Sequence, residues 1–349
     1  MGKPAQQFRG AVIGCGFVSK YHLQGWSRVP GVTISALCDL NRDALTRAGA
    51  SCPSARLYVD ASTMLEAESQ AGGPLDFVEI CTRPESHREL VELAAGRGVH
   101  VLCQKPAAPS KSDLEAMIRA GDSDDVRVMI HENWRYRPWY RVMKREIESG
   151  SIGRPIRLRI IHQDTRALRP NGFADQPYFV SMPRLILFEM GCHLIDTARF
   201  LMGEIESVSA RTGRFGLENR GEDVATLQVG FANGSLGLID ISWCSQPEHA
   251  RPEWALNDTV VEGTRGSLRI RLDGSLDRIE LGGNRDRIAV NLPEAQDVYV
   301  DGYSETQRHF IEGLRTGLPH ETSASDTLRT MEVVWRAYES AVTGKTLPI

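Results

Sequence analysis

Arg9-Gly10-Ala11-Val12-Ile13-Gly14-Cys15-Gly16-Phe17-Val18-Ser19 decides how the first part of the chain folds. Arg9 to Ile13 predicts a short strand that runs into a glycine turn and then a helix-like stretch through Arg28. The turn matches G-x-G-x-x-G/A with Ser19 in the last place. Gly14 permits the tight turn, and Gly16 lets backbone N–H groups approach a pyrophosphate. Phe17 and Val18 open a helix whose N-terminus adds partial positive charge. Working outward, Val32 to Cys38 is a second apolar strand, and it ends in Asp39, 23 residues after Gly16. An acid at that distance accepts the adenosine ribose hydroxyls and repels a 2′-phosphate, which favours NAD over NADP. Arg42 argues the other way, as a partner for such a phosphate.

The alternation continues with strands at Asp76 to Cys81, Val99 to Cys103 and Arg127 to Ile130, and helices at Glu85 to Ala95 and Ser110 to Gly121. Nearly continuous apolar strands between amphipathic helices predict a doubly wound parallel sheet, a Rossmann domain over residues 1–133. Ligands of such sheets sit at the C-terminal ends of the strands. Thr82, Arg83, His87, Gln104, Lys105 and Asn133 are therefore expected to contact the cofactor, with Gly14, Gly16, Phe17, Val18 and Asp39. Lys105, delivered abruptly at the end of an apolar strand, is also placed to touch a second reactant.

At 349 residues about two domains are expected. A net charge of -4 with no long basic run argues against nucleic acid. No apolar run approaches a membrane span, and Met1 to Phe8 lacks a basic then apolar leader, so a cytoplasmic protein is expected. Seven cysteines without a CxxC pair argue against disulfides and structural zinc, and no metal is expected.

Gly14-Cys15-Gly16, Glu79-Ile80-Cys81-Thr82-Arg83-Pro84 with His87, and Lys105-Pro106 together resemble the Gfo/Idh/MocA family of sugar oxidoreductases. The family's usual tripeptide is Glu-Lys-Pro, and Gln104 here replaces the acid. The resemblance implies that Lys105 is less firmly paired than in a typical member.

Residues 134–349 read as a substrate-binding and oligomerisation domain of α+β class with a large, open, mostly antiparallel sheet. Strands are expected at Arg157 to Gln163, Ser207 to Arg211, Ala225 to Phe231, Ser235 to Trp243, Asp258 to Glu262, Ser267 to Arg271 and Asp277 to Leu281. Asn233-Gly234 and Asp273-Gly274 supply turns. A late helical stripe of Leu328, Met331, Trp335, Tyr338 and Val342 reads as packing. The density of aromatic and arginine side chains from Asn133 to Arg141 suits a polyhydroxylated ligand, or an interdomain seam. Trp134, Arg135 and Gln163 are expected to bind substrate alongside Lys105, Glu189 and His193.

Glu189 and His193 are four apart on a helical stretch, with Asp196 three further on. A metal site, a structural histidine and an acid and base pair are all compatible with that spacing, and the pair is preferred. The family pattern, an acid, three residues and then His, matches it with Glu189 in place of the commoner Asp. The resemblance implies an NAD-dependent sugar dehydrogenase with catalytic Lys105, His193 and Glu189. It also implies a small-molecule sugar substrate and a homodimer or homotetramer. Either His193 or Lys105 is the base. An inositol or other aldose dehydrogenase, a redox-neutral NAD-using glycosidase and a non-catalytic NAD-dependent regulator stay open as alternatives.

Overall fold

A computed structural model describes residues 6–123, 126–247, 258–271, 274–294 and 297–349. Two compact units emerge, Met1–Asn133 with Val300–Arg329, and Trp134–Tyr299 with Thr330–Ile349.

The first unit strings β1 (Phe8–Ile13), α1 (Ser19–Trp26), β2 (Val32–Cys38), α2 (Arg42–Ser51), β3 (Arg56–Tyr58), α3 (Ala61–Gly72), β4 (Phe77–Ile80), α4 (His87–Ala95), β5 (His100–Gln104), α5 (Lys111–Ser123) and β6 (Val128–His131). Its strands pair in parallel in the order β3-β2-β1-β4-β5-β6. The order reverses between β1 and β4, which is where a doubly wound sheet opens a crevice for a ligand. β4 and β6 are buried along their whole length because helices cover both faces. The sheet's other end is closed by β3, a three-residue strand too short to template pairing with another chain.

The second unit and the C-terminal segment follow as α6 (Pro138–Glu148), β7 (Pro155–Gln163), α7 (Cys192–Met202), β8 (Ile205–Gly213), β9 (Val224–Phe231), β10 (Leu236–Ser242), β11 (Asp258–Gly263), β12 (Gly266–Ile270), β13 (Leu276–Glu280), β14 (Arg285–Ile288), α8 (Val298–Thr316), α9 (Ala324–Thr343) and β15 (Leu347–Pro348). The sheet order is β14-β13-β12-β11-β7-β10-β9-β8-β15, and every pair is antiparallel except β7 with β10. Period-two burial marks the core face: Ala225, Leu227, Val229 and Phe231 of β9 are all buried. Asn233-Gly234 makes the expected turn, with Gly234 at φ +81°, whereas Asp273 lies outside the described residues, as do residues 1–5 of the expected leader-free start.

Two expectations need correction. Residues 300–329 pack with the first unit rather than with 134–299. The reason is a set of long-range contacts: Phe310 meets Phe77 at 5.6 Å, Gln307 donates to the His22 carbonyl, and Ile130 N–H donates to the Thr322 carbonyl at the edge of β6. That last contact covers an edge strand that would otherwise present open donors and acceptors. The apolar stripe of α9 is also shifted, since Val342 is 87% exposed while Met331, Val333, Val334 and Ala337 are buried. Among the described residues no helix is long and apolar enough to cross a membrane. All seven cysteines are free of disulfides.

His320, between α8 and α9, gives the first unit a pH signature. Its Nε2 lies 2.9 Å from the Phe310 carbonyl, and burial pushes its imidazole down to about 4. The unfolded chain therefore binds more protons than the native one between about 6.5 and 4, so this residue's contribution falls as pH drops through that window. His320→Gln should flatten the acid side of a melting-temperature profile relative to the parent. Superimposable profiles would remove His320 from the acid sensitivity.

Candidate active site

The turn after β1 has the geometry the glycines suggested. Gly14 sits at φ +96°, and a Cβ there would stand 2.8 Å from the Cys81 carbonyl carbon, so the turn lies directly against the end of β4. Gly16 is different, because a Cβ there meets nothing within 4 Å. The space over Gly16 is therefore open, as a cradle for a pyrophosphate requires. Ser19 is buried and its Oγ donates to the Gly16 carbonyl at 2.7 Å, holding α1 close to the turn. Phe17 and Val18 lie at the opening of α1, with Phe17 37% exposed and edge-on to Tyr21. Asp39 accepts N–H groups from Cys15 at 2.6 Å and Asn41 at 2.7 Å, one on each oxygen. Each oxygen keeps a further lone pair for a ribose hydroxyl. The residues thus fit a dinucleotide.

Asp39→Asn removes the charge and one of the two acceptors: the amide oxygen still accepts the Cys15 N–H, and the Asn41 N–H loses its partner. Its kcat/KM with NADP relative to NAD should rise about tenfold as the repulsion of a 2′-phosphate disappears. An unchanged ratio measured with both cofactors would move the discrimination to another residue such as Arg42.

Across the crevice, Thr82 and Arg83 follow β4 and Lys105 follows β5, all at the strands' C-terminal ends. Arg83 is exposed and Lys105 half-buried, and the Lys105–Pro106 bond is cis. Asn133 is buried just after β6. His87 opens α4. It is fully buried, with Nδ1 3.0 Å from the Ala107 carbonyl and Nε2 3.1 Å from the Thr82 carbonyl. Burial pushes the imidazole below its usual range, and a neutral ring donates to one of these two carbonyls.

Gln104 holds the main chain of Lys105. It is buried, its oxygen accepts the Lys105 main-chain N–H at 2.7 Å, and its nitrogen faces His22 Nε2 at 2.6 Å. His22 in turn meets Glu79, and the His131 ring lies 4.5 Å from that of His22. His22, Glu79 and His131 approach closely enough to hold a cation. The Glu79 oxygens, however, also accept from the Trp26 indole and the Gln307 amide, which makes this a hydrogen-bonded network.

In the second unit, a single 3-10 turn at Trp134–Tyr136 stands beside α7. The Trp134 and His193 rings stack at 4.7 Å and 5°, and the Arg137 guanidinium lies 4.4 Å from the Trp134 centroid. Glu189 and His193 are both buried, at 2% and 5% exposure. The segment carrying Glu189 is a π turn, Leu187–Gly191, which runs without a break into α7. Such wide turns recur at functional sites. It is pinned by Glu222, whose Oε1 accepts from the Leu185 and Leu187 N–H groups and from the Tyr338 hydroxyl, while Phe188 N–H donates to that hydroxyl. Burial raises the Glu222 carboxyl above its usual range.

Arg135 and Gln163, both expected to bind substrate, have different surroundings. Arg135 presents its fork to both oxygens of Asp196, and both residues are buried, so its donors clamp the turn to α7. Gln163 is exposed, because the pleat of β7 turns Leu158, Ile160 and His162 to the buried face and Gln163 to the other. His162, on the buried face, has its ring 5.8 Å from that of Trp134.

The NAD-binding Rossmann-fold model of an oxidoreductase family matches residues 8–132, and the GFO/IDH/MocA C-terminal domain model matches residues 140–269. The chain belongs to the Gfo/Idh/MocA family. Like its family, it is an NAD-binding oxidoreductase. It is 37% identical to the D-apiose dehydrogenase of Paraburkholderia graminis, over 99% of this chain and 90% of that one. It is 33% identical to the D-apiose dehydrogenase of Rhizobium rhizogenes, over 98% of both chains. The crystal structure of an oxidoreductase from Agrobacterium radiobacter in complex with NAD+, L-tartaric acid and magnesium has the same fold, with a TM-score of 0.90 and 32% identity over 98% of each chain.

Proposed function

We propose that this Gfo/Idh/MocA protein is an NAD-dependent D-apiose dehydrogenase that oxidises the furanose at its anomeric carbon to D-apionolactone. The observation that carries the substrate is the similarity to two D-apiose dehydrogenases along nearly the entire chain. The side chains support the chemistry. Oxidising a cyclic hemiacetal to a lactone removes the anomeric hydroxyl proton and the hydrogen on the same carbon as hydride, and the ring stays closed, so one base suffices. When bound along Gly14, Gly16 and Asp39, NAD supplies the acceptor for that hydride. His193 takes the hydroxyl proton, and its stack on Trp134 limits how the imidazole can turn. Lys105 donates to the same oxygen and stabilises the negative charge that develops there. Glu189 orients the imidazole, and Trp134, covered by the His193 ring and the Arg137 guanidinium, holds that imidazole in place. The homodimer or homotetramer belongs to the same proposal and is checked by light scattering.

The test is a panel of D-apiose, other aldoses and inositols with NAD, followed by absorbance at 340 nm. D-Apiose should give the highest kcat/KM, with lactone as the product. A higher kcat/KM for an inositol would move the chain to the inositol dehydrogenase reading. Sugar release without net NADH would point to the glycosidase, and NAD binding without turnover of any sugar to a regulator.

A further inference from the structure

Behind Lys105 lies a buried chain of polar groups in which the donor of each link from Lys105 to Glu79 can be assigned. A backbone N–H can only donate, so the Gln104 atom 2.7 Å from the Lys105 nitrogen is the amide oxygen. The Gln104 NH2 therefore faces His22 and donates to Nε2 at 2.6 Å. An Nε2 that accepts leaves the ring proton on Nδ1, which donates to Glu79 Oε1 at 2.7 Å. Glu79 Oε2 is fixed by the Trp26 indole N–H at 2.6 Å, and Gln307 donates to the His22 carbonyl at 3.0 Å while reaching both Glu79 oxygens. His22, Glu79 and Gln307 are all 0% exposed. Facing the His22 ring are Glu79 from β4, Gln104 from β5, His131 from β6, and Tyr303 and Gln307 from α8.

We propose that Glu79, His22 and Gln104 are positioning residues for Lys105. A neutral Nδ1–H imidazole, held by Glu79, turns the Gln104 amide so that its oxygen grips the Lys105 main chain. The proposal rests on the reading that Lys105 serves the dehydrogenase reaction. It gives Gln104 a function that an acid at that position cannot perform in the same way. A carboxylate has no N–H for His22 Nε2, so two acceptors would face each other unless the ring took a second proton. Gln104→Glu thereby replaces an anchor made on a neutral imidazole with one that needs an imidazolium between two carboxylates. The two flanking carboxylates favour that second proton, so the anchor is held at low pH and lost as pH rises.

The experiment compares the parent with Gln104→Glu, His22→Gln, His22→Leu and Lys105→Met, on the sugar the panel selects, across pH 6 to 9 (about neutral, to bracket histidine). Gln104→Glu should approach parental kcat at the acid end and fall about tenfold below it at the alkaline end, with NADH affinity by fluorescence within about threefold. Its melting temperature should fall against the parent's over the same rise in pH. His22→Gln, which keeps one donor and one acceptor, should retain more kcat than His22→Leu, which keeps neither. Gln104→Glu and His22→Leu profiles that superimpose on the parent's, with Lys105→Met inactive, would overturn the relay and leave the function standing. Full turnover by Lys105→Met would instead overturn the role of Lys105. The 15N shifts of His22, assigned against His22→Gln, decide the tautomer without reference to activity: a neutral Nδ1–H ring supports the relay, and an Nε2–H ring or an imidazolium near neutral pH refutes it.

Discussion

Lys105→Met is expected to lower kcat by about two to three orders of magnitude, the range found when one preorganised donor to a developing oxyanion is removed. Methionine keeps the length of the stem, and the main-chain anchor from Gln104 involves the Lys105 N–H, which the substitution leaves in place. NAD should therefore bind within about threefold of the parent, and the loss should fall on kcat rather than on KM for the cofactor. Removing the base should cost more, about two to four orders of magnitude. His193→Ala would also remove the stack on Trp134, worth about 1 kcal/mol, and leave a cavity in a buried site. His193→Asn is the cleaner variant, because it fills more of that space. The two losses should also differ in pH dependence: only replacement of the base abolishes the acid limb of kcat/KM. Stopped-flow NADH formation and NADH titration separate chemistry from binding. Parental turnover in both variants would sink the assignment of these two residues.

Legibility in the sequence followed the distance between partners. β1, the glycine turn, α1, β2 and Asp39 are contiguous, and each residue's task is set by its near neighbours, so the Rossmann half could be read directly. β3 could not, since Arg56–Tyr58 is three residues long and faces solvent. The return of residues 300–329 to the first unit depends on contacts such as Gln307 with Glu79, far apart in the chain. Lys105, Glu189 and His193 stood out by type and spacing. For Arg135 the family resemblance implies a place in the active site, and nothing near it in the chain announces Asp196 as its partner. In β7 both Ile160 and Ile161 are apolar, so alternation alone left the parity of His162 and Gln163 undecided until the helices showed which face they cover. Gln104 was read as a loss of charge, because His22, its partner, lies on α1.

The two glycines of the turn make opposite predictions although both belong to one motif. Gly14→Ala places a side chain at φ +96° and a Cβ 2.8 to 2.9 Å from the Cys81 and Thr82 backbone, where no flexible atom can move aside. The left-handed conformation costs about 1–2 kcal/mol and forced overpacking about 1–3 kcal/mol more. A loss on that scale should lower the melting temperature by several degrees or more and displace β4 from the turn, and NAD binding should fail with it. Gly16→Ala meets nothing within 4 Å and needs no unusual φ, so its melting temperature should match the parent's within about 2 °C. The new methyl occupies the space through which a pyrophosphate approaches, so NADH affinity should drop at least about tenfold. Calorimetry and NADH fluorescence on the pair thus separate a glycine required by the fold from one required by the ligand. If Gly16→Ala bound NADH as the parent does, the phosphates would not cross the turn at Gly16, and the cofactor's position over β1 would have to be redrawn.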